Sequence, residues 1–147
     1  MNRFVTMALV GSLLGPGAPL HAQSPRTFKA RLSPVAMDLT MMANIAGGGA
    51  LTAVLIGDKL EIKGSFDGLK SAATVAQIRK GPVTGVPGPP ILDLTAAHST
   101  TGSISGTLSL TPQQVSDLEK GRLYVQLASE KAPDGNLWGW LLPEKKR

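Results

Sequence analysis

Polar and apolar residues alternate along much of this 147-residue chain, and a period of two marks short strands with one face buried and the other wet. The clearest run is Lys59 to Phe66, where Leu60, Ile62, Gly64 and Phe66 alternate with Lys59, Glu61, Lys63 and Ser65. Ser103 to Leu110 repeats the pattern, with Ile104, Gly106, Leu108 and Leu110 opposite Ser103, Ser105, Thr107 and Ser109. Phe28 to Leu32, Ala50 to Ile56, Thr74 to Arg79, Ile91 to Leu94, Arg122 to Ser129 and Leu137 to Leu142 read as further strands. Gly57-Asp58, a two-residue loop led by Gly, suits a type II′ hairpin. Gly81 to Pro90 is a Pro and Gly-rich loop that cannot join a central ladder, and Pro133-Asp134-Gly135-Asn136 reads as the turn joining the last two strands.

One helix interrupts the strands. Thr111 caps it, Pro112 takes its first position, Gln114 completes a capping box and Gly121 stops it. Seven or so short strands with one short connecting helix predict an all-β domain, an immunoglobulin-like two-sheet β-sandwich. The chain has room for one such core.

The first 22 residues follow a different pattern. Arg3 precedes an apolar run from Phe4 to Leu14, then a Gly15-Pro16 break and a small-residue exit at Ala22. This is the order of a secretory signal peptide over 1–22, leaving a single domain over 23–147 that is periplasmic or secreted. A second apolar stretch, Val35 to Ile56, is interrupted by Asp38, Asn44 and Gly47-Gly48-Gly49, and reads as a loop leading into a strand.

Charge and composition remove whole classes of chemistry. The chain has 15 Lys plus Arg against 10 Asp plus Glu, and losing Arg3 leaves about +4, scattered rather than clustered, which does not suit nucleic acid. With no cysteine, disulfides, thiolate zinc sites and iron–sulfur clusters are excluded. His21 leaves with the leader, and His98 stands alone in a Thr and Ser-rich loop, where it reads as a surface residue. Asp58 and Asp67 fall in turns, Glu61 on a wet strand face, and Asp117 with Glu119 on the helix. These carboxylates, with Asp93, read as solvated. Gly47-Gly48-Gly49 lacks the helix and Lys of a phosphate loop and reads as a flexible turn. No catalytic residue, metal ligand or cofactor is assigned, and the expectation is a protein that is not an enzyme.

From Thr27 to about Leu142 the chain resembles the CHRD domain, the module named for its repeats in chordin and found alone in many exported bacterial proteins. The carriers are Phe28-Lys29-Ala30-Arg31-Leu32-Ser33, Gly64-Ser65-Phe66-Asp67-Gly68-Leu69, the loop from Gly81-Pro82 to Gly88-Pro89, and Gly102-Ser103-Ile104-Ser105-Gly106. Leu118 with Gly121, Leu123-Tyr124-Val125, and Pro133-Asp134-Gly135 leading to Gly139 complete them. The resemblance implies a His-Ile-His segment and a third His near the end of the Tyr-Val strand, similar to the copper ligands of Cu/Zn superoxide dismutases. Here Gln77 and Arg79 flank Ile78, Lys80 looks like an extra residue, and Ala128 stands in the third place. Arg79 has no lone pair to give a metal, so the family's possible metal site is missing.

The pattern Leu137-Trp138-Gly139-Trp140-Leu141 sets two Trp side chains on one face of a strand and two Leu side chains on the other. If the Leu face is the core, Trp138 and Trp140 form a surface with Tyr124 and Gln126, and Gln77 and Arg79 stand beside them. That is a candidate interface with the Trp, Tyr and Arg content of interaction hot spots. The competing reading puts the Trp rings in the core. The short basic tail, Glu144-Lys145-Lys146-Arg147, reads as a solubilising terminus.

These readings lead to a non-enzymatic exported accessory subunit that docks on a larger exported or membrane-associated protein. The small non-catalytic subunit of a quinoprotein alcohol dehydrogenase complex is an example. The alternatives are a metal-binding or oxidoreductase-related role, and an extracellular carbohydrate or matrix-binding module in which the Trp rings stack on sugars.

Overall fold

The computed structural model describes residues 24–144, so the expected signal peptide over 1–22, with His21, and the tail residues 145–147 lie outside the described residues. The strands are β1 (Arg26–Pro34), β2 (Gly48–Ile56), β3 (Lys59–Asp67), β4 (Ala73–Lys80), β5 (Pro90–Ala96), β6 (Gly102–Ser109), β7 (Leu123–Ser129), β8 (Ala132–Trp140) and β9 (Leu142–Pro143). The helix α1 (Pro112–Glu119) sits between β6 and β7. Every strand pairing is antiparallel. Their order runs β2-β3-β6-β5-β4-β7-β8-β1, and β1 pairs with β2 to return to the start.

The ring is therefore a closed eight-stranded barrel, which corrects the expected immunoglobulin-like two-sheet sandwich. Two strands close it by changing partners part-way along. β1 pairs with β2 from Arg26 to Leu32, after which Ser33 and Pro34 pair with Trp138 and Leu137 of β8. β5 pairs with β4 from Pro90 to Leu94, after which Thr95 and Ala96 pair with Ser105 and Ile104 of β6. The alternation fixes which face of a strand is buried, while the choice of neighbours depends on these switches. Gly139 allows one of them, because a Cβ there would lie 2.6 Å from the Arg31 carbonyl oxygen where β1 crosses β8.

The barrel interior is a packed core. Phe28, Leu51, Leu60, Ile62, Phe66, Ile78, Ile104, Leu127 and Leu137 are all at most 2% exposed and lie in one cluster. The strands that supply them hold the expected faces: β3 buries Leu60, Ile62 and Phe66 and leaves Lys59, Glu61, Lys63 and Ser65 exposed. In α1, Thr111 accepts a hydrogen bond from the Gln114 amide at 3.1 Å while the Gln114 side chain accepts one from the Thr111 amide at 2.9 Å. Leu118 is the helix's fully buried apolar residue, and Gly121, at φ 74°, turns the chain out of it. Among the described residues no helix is long and apolar enough to cross a membrane.

Two further expectations change. Pro133 to Asn136 lie inside β8, and Ser129 pairs with Ala132, so the hairpin turn is Glu130-Lys131. This half of β8 is beyond the reach of β1, whose pairing begins at Leu137, so Pro133 stands where no ladder bond is demanded of it. Gly48 and Gly49 open β2 in register with Asp67 and Phe66. The glycine triplet is therefore a close approach between strands, where a Cβ on Gly49 would collide with the Ser65 carbonyl.

Candidate functional site

Cross-strand register brings all six candidate interface residues together. Arg79 of β4 faces Tyr124 of β7, which faces Trp140 of β8. In the neighbouring row Gln77 faces Gln126, which faces Trp138. These two rows lie on the outside of the barrel, since the intervening Ile78 and Val125, and Leu137 and Leu141 on either side of the Trp pair, belong to the core cluster.

The alternation in β8 is resolved in favour of the Leu core. Leu137 and Leu141 are both 0% exposed, while Trp138 and Trp140 are half-buried on the opposite face. The two indoles and Tyr124 form a three-ring cluster. Tyr124 and Trp140 lie 4.4 Å apart between centroids at 34°, and Tyr124 meets Trp138 edge-on at 5.8 Å and 90°. The Trp138 and Trp140 rings are 5.9 Å apart at 64°. Edge-to-face contacts at these separations are attractive in their own right, and the three rings do not share a plane.

Tyr124 differs from the expectation that it would be exposed. It is 0% exposed although it is outside the core cluster, because the Pro-rich loop between β4 and β5 folds back over it. The Tyr124 hydroxyl donates to the Gly88 carbonyl at 3.0 Å and accepts from the Gly88 N–H at 2.9 Å. The Arg79 Nη1 donates to the same carbonyl at 3.1 Å. The loop is held further by Lys80 N–H to Pro89 carbonyl at 3.1 Å, Gly81 N–H to Arg122 carbonyl at 2.9 Å, and Thr84 Oγ1 to Gly121 carbonyl at 2.7 Å. Gly81 abuts Trp140, where a Cβ would come within 2.9 Å of the ring. Val83 and Val86, at the tip, are left 54% and 43% exposed.

The polar groups of this face are mainly donors. Arg79 Nε is buried without a hydrogen-bond partner, and Gln126 Nε2 donates to the Asp134 carbonyl at 3.0 Å. Gly135, at φ 133°, packs against the Gln126 amide, with the Val35 side chain beyond it.

Asp117 is a further correction. The sequence places it with the solvated carboxylates, yet its side chain is enclosed, between Lys80 Nζ at 3.0 Å and Arg122 Nη1 at 3.6 Å, and Gln113 Nε2 donates to it at 3.2 Å. Burial pushes its carboxyl up, but the Lys80 and Gln113 hydrogen bonds and the charges of Lys80 and Arg122 outweigh this and hold it below its ordinary value. Lys80 follows an irregularity between Ile78 and Arg79 in the β4–β5 pairing. It pairs in register with Leu123 and ties the end of β4 to α1. By contrast Asp58, Glu61, Asp67, Asp93 and His98 are exposed, and Glu119 forms an exposed ion pair with Arg26 at 3.1 Å.

The positions of the family's possible metal ligands do not fit a metal. Arg79 is committed to Gly88 by its guanidinium, Gln77 is an amide, and Ala128, 8% exposed, is a methyl group. Among the described residues no three His, Cys, Asp or Glu side chains converge. Sequence reasoning missed the loop's part in this face. The available signal was the glycines at 81 and 88, which flank its prolines and permit its close return.

No curated protein and no solved structure matches the chain. The family model of the CHRD domain matches residues 28–141, which takes in β1 from Phe28 onward, β2 to β8, α1 and all six residues of the aromatic face, and the chain belongs to the CHRD domain family.

Proposed function

We propose that this protein is a non-catalytic, exported binding subunit that docks on a larger exported or membrane-associated protein through the outer face of β4, β7 and β8. The observation that supports this reading is the three-ring cluster of Tyr124, Trp138 and Trp140 outside the core. Two partly buried Trp side chains on a sheet face, flanked by an arginine and by the exposed valines of a pinned loop, have the make-up of an interface centre. A small subunit of a quinoprotein alcohol dehydrogenase complex is one assembly of this type.

The test is affinity co-purification of the tagged protein from its native exported fraction, with retained proteins identified by mass. A larger protein retained in stoichiometric amount supports a docking subunit. A protein that comes through alone, or with bound glycan in place of protein, overturns it.

A further inference from the structure

We infer that the aromatic face takes a proline-rich, extended segment of its partner, laid beside the chain's own proline-rich loop; this rests on the docking reading above. The first ground is that the face already receives such a segment. Pro87-Gly88-Pro89-Pro90 crosses Tyr124, whose hydroxyl bonds both backbone groups of Gly88. Arg79 adds a third bond to the same residue. Only Tyr124 is used up in this way. Trp138 and Trp140 stay partly exposed at the next positions of the same cluster.

The second ground is the hydrogen-bonding character of the face. A polyproline segment has carbonyls on every residue and no N–H on its prolines, so a surface that recognises it must supply donors. Here the donors are the two indole N–H groups and the Gln77 amide. Among the described residues neither indole N–H nor the Gln77 amide has an intramolecular hydrogen bond. The third ground is shape. Rings set at 90° and 64° to their neighbours, 5.8 and 5.9 Å apart, present both faces and edges, the aromatic surface against which the pyrrolidine rings of proline-rich segments pack. The entropic cost of ordering such a ligand is low, because a polyproline helix is largely formed before it binds.

Trp138 and Trp140 are the chain's two tryptophans, so its indole fluorescence reports on this face alone. The experiment titrates the purified protein with decaproline, and in parallel with a Gly-Ser peptide of the same length. The expected result is a saturable change in Trp emission with decaproline only, weakened about tenfold or more in Trp138→Ala, where Trp140 remains as reporter. Gln77→Leu, which leaves the rings in place, is expected to weaken it several-fold. No saturable change with decaproline, an equal change with both peptides, or full affinity in both variants would overturn the inference. Co-purification reads the docking proposal separately: a partner lost on Trp substitution, with no decaproline binding, leaves docking standing and removes only the proline-rich ligand.

Discussion

The Tyr124 hydroxyl holds both backbone groups of Gly88, donating to its carbonyl at 3.0 Å and accepting from its N–H at 2.9 Å. A residue on the outside of a barrel strand is thereby buried by a loop that begins at the end of the neighbouring strand. The arrangement fixes the loop tip, with Val83 and Val86, relative to Trp138 and Trp140.

Tyr124→Phe removes the hydroxyl and leaves two backbone groups of Gly88 to find other partners. The expected cost is about 1–2 kcal/mol in denaturant unfolding. The change should localise: backbone hydrogen exchange speeds up over 81–89 while the amides of β3 keep their protection. Uniform loss of protection would contradict a local clamp.

Asp117 should act as a stabilising anchor at neutral pH. Its carboxyl is held below the ordinary value of 3.8, so its contribution is present above that value and fades as pH falls through the lower folded-state value. Asp117→Asn should lose about 2 kcal/mol at pH 7, less than a fully buried pair because Lys80 and Arg122 are partly exposed. Unfolding curves of the two proteins should converge in strong acid. A gap that persists there would show that shape, and not charge, matters at this position.

The faces of β8 separate packing from surface. Leu137→Ala should cost about 3 kcal/mol, as for a buried leucine that leaves a cavity. Trp138→Ala should cost less than this, since part of its ring is already in water and its removal opens no enclosed cavity. Chemical denaturation of the two variants checks the order, and a larger loss at Trp138 would place that ring in the core.

Gly139→Ala tests the closure of the barrel. The new methyl would press on the Arg31 carbonyl and is expected to cost about 2 kcal/mol. Its signature is faster exchange at Ser33 and Trp138, the pair at the β1–β8 seam.

Much of the fold can be read from local pattern. The alternation in Lys59–Phe66 and the capping box at Thr111 are properties of neighbours in sequence, and both appear in β3 and α1 as expected. Barrel closure could not be read in that way, because it depends on Ser33 meeting Trp138 and Thr95 meeting Ser105 across long separations. Pro133-Asp134-Gly135-Asn136 has turn chemistry, yet the chain turns earlier, at Glu130-Lys131, and these four residues fall where the β7–β8 register shifts between Leu127 and Ser129. For the candidate face, period two was enough to set Trp138, Trp140, Tyr124, Gln126, Gln77 and Arg79 on one side. It was silent on the loop that buries Tyr124 and on the cations that enclose Asp117, both of which arise from chain segments meeting in three dimensions.

The docking face is tested most directly by measuring unfolding and partner retention in one preparation of a Trp138→Ala, Trp140→Ala double variant. The account predicts a protein that still unfolds cooperatively, with its core intact, but retains none of the larger protein held by the unaltered chain. A variant that folds and still holds its partner in full would contradict the assignment of this face.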